Sequence, residues 1–411
     1  MARPPDADTL LPSGEERHQR PSAVALKPPQ GRTDDQTLRI AIDATSLLLP
    51  SAGVRTYTHY WLSSLVDAAS GRGDQIVTYA PGVRVPRVLD HRQSACGFWT
   101  TQFGLRMVQL VNATRLRENP ALNLLLSRAD LFHCSQHTVS SPRHKKMTAT
   151  LFDLSCWITP QHHRPDNIAA TRRYGEKILK VADGLIAISE NSRNDAVTIL
   201  GIPKERIRVI YPGVAEAYFK VCPEQAAQVR AKFGLCTPYL LFVGCIEPRK
   251  NVAAILEAYG RLPLGVRQEV TLVLAGMYGW NCEDVRREVS RQGKAVRYLG
   301  YVPEADLPGL MQGSAAVVYP SFYEGFGLPV AQAMAVGAPV ITSNRSCLPE
   351  VVGDAGLCID PDAVEELSAA MQRVLESPEL ARTLISCGRV RAEKFRWAAS
   401  AERSMDFFHA C

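Results

Sequence analysis

The sequence predicts an α/β protein built on two doubly wound parallel sheets, and three observations carry that prediction. From Leu38 onward, short apolar runs alternate with stretches of helical periodicity, the rhythm of repeated strand–helix–strand units. The rhythm runs twice, in units of about 180 residues, with Pro and Gly interrupting it between Tyr211-Pro212-Gly213 and Cys236-Thr237-Pro238. The chain is 411 residues long, 46% hydrophobic and 21% charged, which suits two or three globular domains and excludes a collagenous, coiled-coil or wholly disordered chain.

The elements follow in order. Residues 1–37 carry six prolines and charges of both signs without an apolar stretch, so they read as a disordered tail and not as a signal peptide. Within 38–213 the strands are expected at Leu38–Asp43, Gln75–Tyr79, Leu131–Cys134, Thr148–Asp153, Leu185–Ser189 and Ile207–Tyr211, with helices at Val54–Ala69 and Asn167–Ala182. Residues 214–236 read as a linker. Within 237–391 strands are expected at Tyr239–Gly244, Thr271–Ala275, Ala295–Leu299, Ala316–Tyr319, Pro339–Thr342 and Gly356–Ile359. The helices between them fall near Asn251–Arg261, Glu283–Arg291, Leu307–Gln312, Pro329–Val336 and Ala363–Leu375, and a last helix lies within 392–411. Two such sheets facing each other would hold a ligand between the C-terminal edges of their strands.

Composition narrows the function. No apolar run reaches the length of about 18 residues that a membrane span needs. The eleven cysteines are odd in number and scattered, with no CxxC pair and no zinc-finger spacing, which predicts free thiols in a reducing, cytoplasmic setting. A net charge of +6 is too mild for a nucleic-acid binder but suits phosphorylated ligands or an anionic membrane surface. No GxGxxG follows a strand and no GxxxxGK[ST] is present, so dinucleotide enzymes and simple nucleoside triphosphatases are disfavoured.

The most informative stretch is Ser321-Phe322-Tyr323-Glu324-Gly325-Phe326-Gly327-Leu328-Pro329, running on to Gly337. It reads as a strand end, a glycine-bearing loop and a helix opened by proline and closed by glycine. Glycines admit a ligand to the backbone, and amides at a helix start attract anions. Phosphate would repel a carboxylate, so Glu324 is expected to accept hydrogen bonds from sugar hydroxyls. The second stretch is Gly244-Cys245-Ile246-Glu247-Pro248-Arg249-Lys250-Asn251. Two cations at a helix start gain nothing from its dipole and make better sense facing a diphosphate.

Glu324-Gly-Phe-Gly-Leu-Pro, Glu247-Pro-Arg-Lys-Asn and Leu348-Pro-Glu-Val-Val-Gly-Asp-Ala-Gly together resemble the retaining glycosyltransferases of family 4. The likeness runs through Tyr298-Leu-Gly-Tyr-Val-Pro-Glu-Ala-Asp-Leu, Ile188-Ser-Glu-Asn-Ser and Ile210-Tyr-Pro-Gly-Val, covering nearly all of the chain from Leu38. It implies the GT-B fold, two Rossmann-like domains facing across a cleft, with the acceptor on the first and the nucleotide sugar on the second. It also implies transfer of a hexose, with mannose a candidate, from a nucleotide sugar to a glycan or lipid-linked acceptor in polysaccharide or lipopolysaccharide assembly. Retention at the anomeric carbon, no cofactor beyond the co-substrate and no metal belong to the same expectation, as does peripheral contact with the inner face of an anionic membrane.

Residue by residue, the resemblance makes Arg249 and Lys250 the diphosphate-binding pair. Glu324 becomes the first glutamate of an E-x7-E motif that holds the donor sugar. The amides of Gly325, Phe326, Gly327 and Leu328 would contact the diphosphate, Val302 the base, and Gly53 the loop that closes over the donor. The final helix, about Ala392–His409, matches the segment that crosses back to the first domain. Two positions depart from the pattern. Where the family commonly has His-Asp after the fourth strand, this chain reads Phe152-Asp153, and Gln332 replaces the second glutamate. The departures are read as drift within a variant subfamily; the alternative is a catalytically silent protein of this fold that binds a sugar nucleotide or glycan. Among other residues, Trp61 and Tyr57 are expected in the core, and His162 and His163 in an exposed loop near the acceptor, too closely spaced for a metal pair. Phe98–Leu126 and Arg143–Lys146 read either as solvated structure or as a membrane-facing patch.

Overall fold

The computed structural model describes residues 37–48, 52–79, 127–136, 138 and 146–411. The expected tail, the Phe98–Leu126 stretch and Arg143–Lys145 lie outside the described residues. Two six-stranded sheets form the framework. The first has the order β2 (Gln75–Tyr79), β1 (Arg39–Asp43), β3 (Leu131–Cys134), β4 (Met147–Leu151), β5 (Gly184–Ala187) and β6 (Ile207–Val209). The second has the order β12 (Leu357–Ile359), β11 (Val340–Ser343), β10 (Ala316–Tyr319), β7 (Tyr239–Val243), β8 (Thr271–Ala275) and β9 (Val296–Gly300). Every pairing is parallel. All twelve expected strands are present, their ends within two residues of expectation.

The central strands carry unbroken apolar runs because both faces of a parallel sheet are covered: Tyr-Leu-Leu-Phe-Val of β7 is buried throughout. In the second sheet the strand order turns between β7 and β10, and at such a turn the loops leaving the two strands diverge to opposite faces and open a crevice. The Glu247–Lys250 segment follows β7 and the Glu324 loop follows β10, so this topology brings together two stretches some seventy-five residues apart in sequence.

Some helices differ from expectation. Asn167–Ala182 is not one helix: Pro165–Tyr174 gives way to a wider π-turn at Gly175–Leu179, where Trp157 packs so closely that a Cβ at Gly175 would lie 2.9 Å from its ring. Residues 214–236 hold two helices, Glu216–Lys220 and Pro223–Lys232. The chain crosses between the sheets twice, and the crossings touch: the Val214 amide donates to the Phe395 carbonyl at 2.9 Å. The last helix, Trp397–Ala410, lies on Ala52–Gly71, with Trp61 Nε1 donating to Ser404 Oγ at 3.0 Å and Arg72 paired with Asp406 at 2.8 Å. Trp61 and Tyr57 are core residues, stacked at 5.6 Å. No helix among the described residues is long and apolar enough to cross a membrane.

Candidate functional site

Proline at 248 and a left-handed Asn251 (φ 56°) shape the chain after β7 into the single turn Pro248–Lys250, so Arg249 and Lys250 precede the helix Val252–Gly260 and do not begin it. The loop after β10 ends in Gly327 at φ 85°, a backbone shape open to glycine, from which Leu328–Val336 departs with Gly337 (φ 78°) closing it. Gly325 answers a different need. A Cβ there would lie 2.5 Å from the Phe152 carbonyl oxygen and 3.1 Å from Asp153 Cβ, so only glycine lets this loop meet the first domain.

Arg249, Lys250 and Glu324 come together as a buried ion cluster. Glu324 Oε2 lies 3.0 Å from Arg249 Nη1, and Oε1 accepts from Lys250 Nζ at 2.5 Å and from the Tyr319 hydroxyl at 3.1 Å. Arg249 also pairs with Glu247 at 2.7 Å and donates to the Tyr323 carbonyl at 2.6 Å; Lys250 bonds the Tyr319 hydroxyl and sits over its ring. Behind the carboxylate, Ser346 Oγ accepts from the Glu324 amide at 3.0 Å and the Cys347 thiol donates to its carbonyl. Burial alone would raise the Glu324 carboxyl; Arg249 and then Lys250 overcome that and hold it at about 2. For Arg249 burial opposes the charge, but Glu324, Glu247 and Asp153 together keep it more firmly protonated than usual. Glu324 and Arg249 are therefore both charged across the physiological range. The Arg249 Nε nonetheless has no partner among the described residues, and a buried donor left so costs about 1–3 kcal/mol.

The other expected positions fall as follows. Val302 is buried in the loop after β9. Gln332 is 8% exposed on Leu328–Val336. Phe326 turns away from the loop and packs edge-on against Phe395 at 5.3 Å, leaving only its backbone to a ligand. Gly53 is exposed, with open space where a Cβ would stand. Asp153 accepts from the Ser155 amide and hydroxyl at 3.0 and 2.6 Å. Phe152 packs edge-on against Tyr57 at 5.1 Å. His162 and His163 are corrected: both are half-buried, and His162 meets Phe322 and Trp280 of the second domain. Asp360 and Asp362, spaced like a metal-binding D-x-D, are both taken by Arg345 at 2.6 Å.

Sequence reasoning missed the ties between the two sheets. Glu350 accepts from the amides of Glu190 and Asn191 at 2.7 and 3.1 Å, a carboxylate set on the N-terminus of the helix Glu190–Leu200. On the same helix, Asp195 accepts from the Tyr323 hydroxyl at 2.5 Å, one residue before Glu324. Both Glu350 and Glu190 lie inside recognised motifs, but nothing in their spacing says that they meet.

Two family models match the chain: "Glycosyltransferase Family 4" over residues 52–218 and "Glycosyl transferases group 1" over residues 228–391. The chain is 36% identical over 259 residues to O-antigen chain mannosyltransferase B of Escherichia coli, covering 62% of this chain and 68% of that one. It is 30% identical over 233 residues to the serotype-specific mannosyltransferase WbdA of Escherichia coli, covering 55% of this chain and 29% of that longer protein. Among solved structures, HepE of Anabaena in complex with UDP-glucose superposes with a TM-score of 0.66 at 18% identity, over 91% of this chain and 100% of that one. WaaG, a glycosyltransferase involved in lipopolysaccharide biosynthesis, superposes with a TM-score of 0.64 at 18% identity, over 90% and 99%. These two likenesses speak to the fold alone.

Proposed function

The chain belongs to glycosyltransferase family 4, the group 1 glycosyl transferases, and on that premise we propose that it moves mannose from a nucleoside-diphosphate donor to a glycan or lipid-linked acceptor, with retention and without a metal. One observation carries this reading: two cations and a carboxylate lie buried in contact where the strand order of the second sheet turns. Without a ligand the two cations are offset by Glu324 together with Glu247. A diphosphate entering beside them competes with Glu324 for Arg249 and Lys250, and its oxygens match the planar fork of the one and the point charge of the other. Glu324, released from them, is free to accept hydrogen bonds from sugar hydroxyls. The same arrangement thus binds the donor's two halves with opposite charges.

As the bond from sugar to phosphate breaks, negative charge grows on the leaving diphosphate. Fixed cations and the amides of Gly325–Leu328 stabilise it without reorganising. With Glu324 engaged by the sugar's hydroxyls, the reading follows the family's account, in which the leaving phosphate takes the acceptor's proton on the same face of the sugar. The pairing of Asp360 and Asp362 with Arg345 supports a metal-independent reading. The donor sugar is read from the mannosyltransferases among the relatives. Peripheral membrane contact is supported by the exposed basic residues Arg172, Arg173 and Lys177 near Val181, 55% exposed, though Lys180 is paired with Glu176 at 2.9 Å.

The test is incubation with GDP-mannose, UDP-glucose and ADP-glucose, and a mannan or lipid-linked acceptor, with and without EDTA. Mannosyl transfer that survives EDTA, with an α-product by NMR, is expected. Tight binding of a nucleotide sugar with no transfer to any acceptor in the panel would favour the catalytically silent alternative.

A further inference from the structure

Beside Arg249 the first domain contributes two adjacent imidazoles that the proposed reaction does not use. His162 closes the turn Pro160–His162, and this turn is docked on the second domain. The His162 ring stacks on Phe322 at 5.2 Å, and its carbonyl accepts from Trp280 Nε1 at 2.9 Å. Phe322 in turn donates its amide to the Arg249 carbonyl at 2.9 Å. His163 feels the charges of Arg249, Asp153 and Glu247. Its Nε2, the Nδ1 of His162 and the Nε of Arg249 are all closed off from solvent with no hydrogen-bond partner among the described residues. Buried polar atoms in folded proteins find partners as a rule, and three orphans gathered at one seam between two domains point to a ligand that supplies them.

The chemistry of that ligand follows from the ring's charge. Burial, and then Arg249, push His163 below the ordinary imidazole value, so the ring is neutral near pH 7 and offers one donor and one acceptor. An anionic oxygen already has Arg249 and Lys250. At Nε2 a neutral ring presents a donor or an acceptor according to its tautomer, and a hydroxyl can answer either. At position 152, where the family commonly carries an imidazole, Phe152 instead packs its ring on Tyr57 and leaves its carbonyl to Ser192 Oγ at 2.9 Å.

We infer that His163 is a specificity-determining residue that hydrogen-bonds a hydroxyl of the donor sugar. The inference rests on the glycosyltransferase reading. Calorimetric titration of the wild type with GDP, UDP and ADP and with their sugar conjugates first selects the preferred pair. His163→Ala and His163→Asn are then titrated with both members of that pair, and thermal melting checks their folding. Expected for His163→Ala is diphosphate affinity within about twofold of wild type, with sugar-nucleotide affinity and kcat/KM at least about tenfold lower. His163→Asn, which keeps a donor and an acceptor, should recover most of the loss, and it answers the question if the alanine variant does not fold. Unchanged sugar-nucleotide affinity, or an equal loss for diphosphate and conjugate, overturns the inference and leaves the reading standing. A wild type that binds no nucleotide sugar overturns both.

Discussion

Asp43, the last residue of β1, and Glu324, in the loop after β10, are buried carboxylates at the C-terminal edges of the two sheets, but they are held by different chemistry. Asp43 accepts from the Thr45 amide at 2.9 Å and from the hydroxyls of Thr45, Ser135 and Thr138, the last two at 2.9 and 2.5 Å. All are neutral donors from its own domain. Glu324 is held by Arg249 and Lys250. Neutral hydroxyls have little to offer a diphosphate, so Asp43 stays tied whatever enters the cleft. Cations are what a diphosphate seeks, so the partners of Glu324 can be drawn off. On the proposed reading, the first arrangement fixes a fold, and the second holds a binding site whose cations are covered by carboxylates.

The largest effect that would test this contrast is at Lys250. If it stabilises charge on the leaving group, Lys250→Ala lowers kcat/KM by about a hundredfold or more, the scale of losing one preorganised donor. Glu324 keeps Arg249, so the variant should fold. A folded Lys250→Ala enzyme of full activity would break the comparison outright. The cluster also sets a pH limit. Since the folded carboxyl of Glu324 is depressed to about 2, its contribution to stability is complete above the unfolded value of about 4.3 and is lost as pH falls from there through 2. Acid titration of wild type and Glu324→Gln should converge in that window.

Asp43→Asn should do the reverse of Lys250→Ala. The amide cannot accept from as many donors and leaves a buried hydroxyl unpaired, at a cost of about 1–3 kcal/mol in stability. Nucleotide affinity should stay within about twofold of wild type by calorimetry. A loss of affinity larger than the loss of stability would mean that Asp43 serves the site directly.

Tyr323 lies between these extremes, because its carbonyl holds Arg249 while its hydroxyl reaches Asp195 across the cleft. Tyr323→Phe removes the bond between domains and keeps the carbonyl. It should raise KM for the donor by about threefold to tenfold with kcat little changed, as expected if the hydroxyl favours closure and takes no part in the chemistry. A loss confined to kcat would place that hydroxyl in the chemical step instead.

These cases also mark what the sequence could and could not disclose. Strand positions were legible because a parallel strand buried on both faces must be apolar, and Tyr239–Val243 or Ala316–Tyr319 can be little else. Arg249, Lys250 and Glu324 were legible as polar residues set in apolar, glycine-marked surroundings. Their mutual pairing was not, because about seventy-five residues separate the two loops and only the strand order makes them neighbours. The π-turn at Gly175–Leu179 escaped because it answers to Trp157 in another element, which no local pattern records. His162 reads in the sequence as part of an exposed loop near the acceptor for a similar reason: the Phe322 ring it stacks on belongs to the other domain.

The smallest effect concerns Gln332, buried on the helix that leaves the Glu324 loop. A glutamate there could accept from both ribose hydroxyls, and bonds to a charged acceptor are worth roughly 1.5–3 kcal/mol against about 1 for neutral ones. Glutamine offers one acceptor oxygen and an amide that donates, so one hydroxyl can give and the other receive. The ion cluster adds a counterweight. Glu324 and Glu247 already claim Arg249, and a third buried carboxylate would be introduced near a diphosphate with no cation left to pair it. The two terms oppose each other, so Gln332→Glu should tighten nucleoside diphosphate binding by no more than about tenfold or leave it unchanged, with turnover retained. Calorimetry on both proteins with the preferred diphosphate measures it. Binding weakened tenfold or more in the glutamate variant would show that the charge balance of this cluster has been set around glutamine, and that position 332 is not a case of drift.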